Sequence, residues 1–444
     1  MFGWLSPRPP LDLLEKAWVE TRLLTLARHL GPARMLAAAV VTPTLEFFGG
    51  QWDGTEADVQ RLLQRLVNLM RVTAPGWALQ VCGDDHACAG GESCGPQTIR
   101  IAAHQLSHPD TVAAVLAHEL AYALLPPAAR AGRDRRENEW LADLLPVYLG
   151  LGVFMANAVL EESSDPAGPA RRPTPRRQSW LPARMVGYAL ALLTWVRGET
   201  ASPWRSALRL DAQAAYTSGL RYLERTSDSV FSHDTASRPP APVPTPELVR
   251  QLATGSPSGR IVALWELRAP QHAAEGAPAV GKCLHDRRPA IRQEAAYTLG
   301  SYGEHAGQAI PPLLDLLQDD QYAVRCAAAT ALGALGRDSD AVLPRLVELL
   351  GDPDRAVVSS AALAVQNFGV QGQPATPALL SALKAALIRC DHSLTDVLSR
   401  ALFAVEPDPT HQVLEFFADD YELREQLVHV LVDAVPPLDE PPVA

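Results

Sequence analysis

The residues with types and spacing suited to chemistry lie in two short tracts. The first is DTVAAVLAHELAYALL, Asp110 to Leu125, which carries His118 and Glu119 side by side and Tyr122 four residues after the histidine. The second is ENEWLADL, Glu137 to Leu144, in which Glu139 and Asp143 are also four apart. Residues i and i+4 share a helix face. His118 and Tyr122 therefore face a common point, and Glu139 and Asp143 share a face of the next helix. A catalytic zinc needs three protein ligands and an open position for water. His118 and Glu139 are suited to be ligands. Asp143 is suited to support the far nitrogen of His118. Glu119 stands where the general base of a zinc hydrolase would sit. The third ligand falls to Tyr122, a poor one, because a phenol holds its proton until about pH 10. His104 and His108, upstream of the first helix, are the other candidates for the gap.

These helices must be positioned by the rest of the chain. Leu11 to Leu30 reads as an amphipathic helix stopped by Gly31 and Pro32. Met35 to Val41 is an apolar run read as ending in a strand. Thr55 and Asp58 form a capping box ahead of Val59, Leu62, Leu63, Leu66, Val67 and Met70, which repeat at helix period. Trp77 to Val81 and Thr98 to Ala102 read as short strands, the second as an edge that could hold an extended peptide. The loop between them carries Cys82, His86, Cys88 and Cys94 without the spacing of a structural zinc site. Leu144 to Leu160 is the most apolar tract. Asp143, Pro146 and Asn157 favour a buried helix there over a membrane span. Asp165 to Arg177 reads as a basic loop, and Leu181 to Val196 and Asp211 to Glu224 as further helices.

Thr226 to Pro246 is rich in serine, alanine and proline and reads as a linker. Beyond it the chain repeats every 33 residues: Pro278, Pro311, Pro344 and Pro377 are in register, as are Asp286, Asp319 and Asp352, and Gly303, Gly336 and Gly369. Ile291, Val324 and Val357 open each second helix, and Ala295, Ala328 and Ala361 follow them inward. Pro257 to Arg268 reads as a degenerate first repeat and His411 to Val435 as an acidic final cap. The array resembles short HEAT-like repeats, in which stacked helix pairs bury one continuous core.

The first part, from about Leu11 to Leu223, resembles a family of bacterial zincin-like proteins of gluzincin type, with H-E-x-x-H on one helix and E-x-x-x-D on the next. VVTPTLEFFGGQWDGTEADV, ADLLPVYLGLGVFMANAV and GYALALLTWVRGE extend the likeness. The resemblance implies His118 and Glu139 as metal ligands, Glu119 as catalytic base and Asp143 as their support. Tyr122 departs from it. The expected architecture is multidomain and mainly α. A zincin-like α+β domain covers 1–225, a linker 226–246, a HEAT-like α-solenoid 247–435 and a tail 436–444.

The expected function is that of a catalytically degenerate zincin-like protein that binds or regulates a partner through its repeats. The alternatives are an active zinc peptidase using His118, Glu119 and Glu139, and a purely structural interaction protein. The expected cofactor is none, or weakly bound zinc. The expected partner is a protein on the concave face of the repeats, with a peptide substrate only if the site is active. A net charge of −11 argues against nucleic acid. The six cysteines do not form a disulfide framework, and MFGWLSPRPP lacks the pattern of a secretory signal. The expected location is the cytoplasm, without membrane attachment.

Overall fold

The structure, a computed structural model, describes residues 8–72, 76–82, 98–125, 135–158, 181–200, 202–232, 243–406 and 408–418, with 420 and 423. The loop at 83–97, the basic tract at 165–177 and most of the expected final cap and tail lie outside them. The chain divides into two compact units, Met1–Pro242 and Val243–Ala444. It is a mainly α protein with a small β element in the first unit and successive helix pairs in the second.

In the first unit, α1 spans Leu13–Leu30, α2 Pro32–Ala37, α3 Leu45–Phe48 and α4 Glu56–Met70. Asp12 caps α1 by accepting from Glu15 N, and Gly31, at φ +86°, ends it. Pro32 then opens α2 at a position where a missing N–H costs nothing. That short helix takes up much of the run expected to become a strand. The Thr55–Asp58 capping box starts α4 as the sequence indicates. Strands β1, Ala78–Cys82, and β2, Thr98–Ala102, pair in parallel, Ala78 with Thr98 through Cys82 with Ala102.

Helix α5 covers Pro109–Leu124 and α6 Arg135–Tyr148, packed against each other. α7 covers Gly152–Asn157, α8 Ala183–Arg197 and α9 Leu210–Thr226. The apolar tract after Asp143 is buried, but it forms two helices rather than one. Gly150 breaks it, at φ +95°, with its carbonyl accepting from Val41 N at 2.9 Å. A Cβ at Gly150 would lie 2.2 Å from the carbonyl oxygen of Ala39, so only glycine allows this approach. Among the described residues, no helix is long and apolar enough to cross a membrane.

Helix α1 is not simply amphipathic, for Lys16 and Glu20 are both fully buried. Lys16 Nζ lies 2.9 Å from Glu20 and 3.6 Å from Asp228. The Tyr188 hydroxyl donates to Glu20 at 2.6 Å, Val230 N donates to its other oxygen at 3.0 Å, and the Tyr222 hydroxyl donates to Asp228. Buried charges persist only when paired and hydrogen-bonded. This network also fastens the chain just after α9 onto α1.

In the second unit the helices come in pairs: α10 Thr245–Thr254 with α11 Pro257–Leu267, α12 Ala273–Cys283 with α13 Pro289–Gly300, and α14 Ile310–Leu316 with α15 Tyr322–Leu335. Then follow α16 Ser339–Leu349 with α17 Arg355–Asn367, α18 Thr376–Ile388 with α19 His392–Val405, and α20 Thr410–Phe416. The first pair thus includes a helix ahead of Pro257. Ile291, Ala295 and Leu299, and their equivalents Val324, Ala328, Leu332 and Val357, Ala361, Val365, are buried between the layers.

The second helices of the pairs pack side by side along the array, closer than the first helices do. They form its inner, more tightly spaced layer. Glycine permits this spacing: a Cβ at Gly300 would lie 2.9 Å from Ala331 Cα, and one at Gly333 only 2.5 Å from Ala364 Cα. Charge links the same layer. Arg292 makes two bonds to Asp319, at 2.7 and 2.9 Å, and Arg325 makes two to Asp352, at 2.9 and 3.0 Å. Each arginine also reaches the turn of its own repeat, Asp286 O at 2.8 Å and Asp319 O at 2.9 Å.

Candidate functional site

Helix α5 is nearly all apolar and stands in the core with Val112, Leu116, Ala117, Leu120 and Ala121 buried. β2 and α4 pack on it, and α6 crosses it. On the α6 side, His118 is the buried polar exception. Helix α6 answers with Glu139 and Asp143, themselves buried.

The three side chains meet. His118 Nδ1 lies 2.7 Å from Asp143 Oδ1, and Nε2 lies 3.1 Å from Glu139 Oε2. Asp143 Oδ2 accepts from the backbone N–H of Leu181 at 2.8 Å, which brings in the segment leading to α8. The sequence spacing therefore placed Asp143 behind His118 and Glu139 in front of it. The Leu181 contact had no sequence signal, because a backbone donor leaves none. Glu119 is half-buried beside them. Burial raises its pKa above the ordinary carboxylate range, the nearby His118 lowers it, and Glu139 adds to the rise.

An imidazole that donates from both nitrogens is an imidazolium. Burial alone would lower the His118 pKa. The charge and hydrogen bond of Asp143, the hydrogen bond of Glu139 and the charge of Glu119 outweigh it and push the value up to about 10. The Tyr122 ring lies edge-on to His118, centroids 5.3 Å apart. Burial, with the nearby Glu139 carboxylate, raises the pKa of its hydroxyl well above the usual phenol value. It is a neutral phenol and a donor.

Spacing alone would suit a metal. Two donors about 2.0–2.1 Å from a tetrahedral zinc stand roughly 3.3 Å apart, close to the His118–Glu139 separation. The donor set does not suit one. The third position holds the Tyr122 phenol, a poor ligand while it keeps its proton. Among the described residues, no group of three or more His, Cys, Asp or Glu side chains is arranged to hold a metal ion. His104 lies on the turn Ala103–Ser107 and His108 at the exposed start of α5; neither completes such a group. Arg100 is bonded to Gln80 across the strand pair. Cys88, Cys94 and His86 are outside the described residues.

No curated protein matches the chain. Among solved structures, a crystal structure of an engineered protein from the Northeast Structural Genomics Consortium is 20% identical, with a TM-score of 0.35, over 43% of this chain and 96% of its own. A second engineered protein from the same consortium is 15% identical, with a TM-score of 0.33, over 94% of this chain and 98% of its own. Human deoxyhypusine hydroxylase in complex with glycerol is 20% identical, with a TM-score of 0.28, over 73% of this chain and 94% of its own. Two overlapping stretches, residues 245–332 and 310–399, match the family of HEAT repeats, so the second unit is built of HEAT-like repeats.

Proposed function

We propose that the chain is a binding or scaffold protein whose partner docks on the inner layer of the repeats. The first unit is then a zincin-like domain that has lost peptidase chemistry. The observation that carries this reading is the surface of the second helices. Their arginines are spent within the array: Arg292 and Arg325 are each tied to an aspartate of the next repeat. Arg355, at the start of α17, is exposed but paired with Asp391 at 3.1 Å, and beyond it α13, α15 and α17 present neutral side chains, Gln293, Tyr297, Thr330, Ser359 and Leu363. Leu363 is 44% exposed and Thr330 is exposed. A face whose arginines are each paired with an aspartate has little attraction for a phosphate backbone. A neutral surface with apolar and aromatic points fits a protein partner.

Activity in the first unit has weaker support. Glu119 is placed as a base would be, but the donor set beside it does not fit zinc, so peptide hydrolysis has no activated water to use.

The test uses the full chain. Leu363→Glu and Tyr297→Glu each place a charge on the neutral face, and a partner recovered by the unaltered protein should be lost from both. A partner retained by both variants would contradict the reading.

A further inference from the structure

The inner layer of the repeats is held by the same parts at successive steps, and at one step they are missing. Gly300 and Gly333 stand at matching positions of α13 and α15, and each lets the next second helix approach its backbone closely. The matching residue of α17 is Gln366. It puts a side chain where the other two helices have none. Its Oε1 is buried without a hydrogen-bond partner among the described residues, and a buried oxygen left unsatisfied weakens the contact around it. The charge ladder stops at the same step. Arg292 and Arg325 reach the aspartate three residues ahead of the next second helix, Asp319 and Asp352. On α17 the position of the arginine holds Val358, and the residue three ahead of α19 is Arg389. The ion pair present there, Arg355 with Asp391, has its arginine side chain 69% exposed, so solvent screens it.

The other end of the array is built differently. The α11 and α13 segments are stitched by side chains. Trp265 Nε1 donates to Glu294 at 2.6 Å, Arg268 pairs with the same carboxylate, and the Tyr302 hydroxyl donates to Leu267 O at 2.9 Å. Glu294 and Tyr302 are buried. Arg260 adds a bond to Asp286 at 2.6 Å. Nearness to an end therefore does not by itself leave a loose step.

We propose that the contact between α17 and α19 is the hinge of the array, at which the last repeat, α18 to α20, opens as one body from a stack that runs from α11 to α17. Each repeat of such an array contacts only its neighbours, so opening collects at the weakest step. The inner layer then changes curvature at α19 and keeps its spacing elsewhere. The inference goes beyond the partner reading and does not depend on it.

Hydrogen exchange of the full chain, followed by mass spectrometry at low denaturant, tests it. Amides of α19 should exchange at least about tenfold faster than those of α13 and α15, and α11 should exchange as slowly as α13. Helix α11 is the control for fraying. Exchange of α19 at the rate of α15 would overturn the proposal. Equally fast exchange of α11 and α19 would overturn it too, since the loss would then be a property of ends and not of this contact. Gln366→Met keeps an unbranched side chain and removes the unpartnered oxygen. It should slow α19 about tenfold and leave α13 unchanged. An α19 rate unaffected by Gln366→Met would contradict a hinge at this contact. The exchange pattern of the unaltered protein needs no variant and stands even if the substitution prevents folding.

Discussion

His118 sets how the first unit should respond to pH. Its folded-state pKa of about 10 lies above the ~6.5 of an unfolded histidine. The protonated ring is therefore bound more strongly in the folded state. The stability it contributes is fully present below pH ~6.5 and is lost as pH rises through about 10. Tm should fall across that window more steeply in the unaltered protein than in His118→Gln. Equal slopes would mean that the ring carries no such charge. The neighbouring residue offers the complementary experiment. Tyr122→His places an imidazole on α5 one turn after His118, in place of the phenol. Zinc content by plasma emission should then rise towards one per chain, and Glu119→Gln in that background should leave the metal in place, because it removes a base and no ligand. Zinc content unchanged by Tyr122→His would show that more than this position has departed from a metal site.

Much of this constellation was legible in the residues. The i, i+4 spacing put His118 with Tyr122 and Glu139 with Asp143, and the Tyr122 ring does lie against His118. Protonation was not legible. It depends on how far burial and three carboxylates oppose each other, and that balance requires distances. The Lys16–Glu20 pair was hidden for a related reason. Spaced i, i+4, it looks like an ordinary solvated helix face, and its burial comes from Tyr188, Tyr222 and Asp228, which are remote in sequence.

At the scale of elements, glycines separate two effects that a helix scale alone would merge. Gly333 sits in α15 where a Cβ would lie 2.5 Å from Ala364 Cα. Alanine gains about 1 kcal/mol over glycine as a helix former, but overpacking costs about 1–3 kcal/mol and here the obstacle is backbone. Gly333→Ala should therefore destabilise the second unit in denaturant unfolding. Gly281, in α12, has nothing within 4 Å of an added Cβ, so Gly281→Ala should stabilise it by about 0.5–1 kcal/mol. Two changes of the same sign would show that the close approach of α15 and α17 is not needed. The arginine ladder gives a second check. Asp352→Ala leaves Arg325, with a side chain only 15% exposed, without its paired carboxylate. It should cost about 3 kcal/mol, near the lower end for breaking a buried ion pair. A loss below about 1 kcal/mol would class the pair with ordinary surface bridges.

Element boundaries were readable where the sequence carries its own stop, as at Gly31 and Pro32 or at the Thr55 cap. The repeat was clearer still, because each stacked unit must present the same small and apolar residues to its neighbours. Less readable were places governed by another segment. Gly150 divides an apolar tract because Val41 and Ala39 meet it there, and α2 forms because Pro32 starts a helix that the following apolar run does not forbid.

For the whole molecule, the division between Pro242 and Val243 separates a unit containing His118, Glu139 and Asp143 from a unit made of repeats. Each has its own buried core. The serine- and proline-rich composition of Thr226 to Pro246 makes that stretch the expected site of a protease cut. The most direct test of the account follows from this. The full chain, loaded with whatever partner it captures, is cut by limited proteolysis and the fragments are separated. The partner should stay with the fragment that begins near Val243. A partner that leaves with the fragment carrying His118 and Tyr122 would contradict the account, for the binding function would then belong to the first unit and not to the repeats.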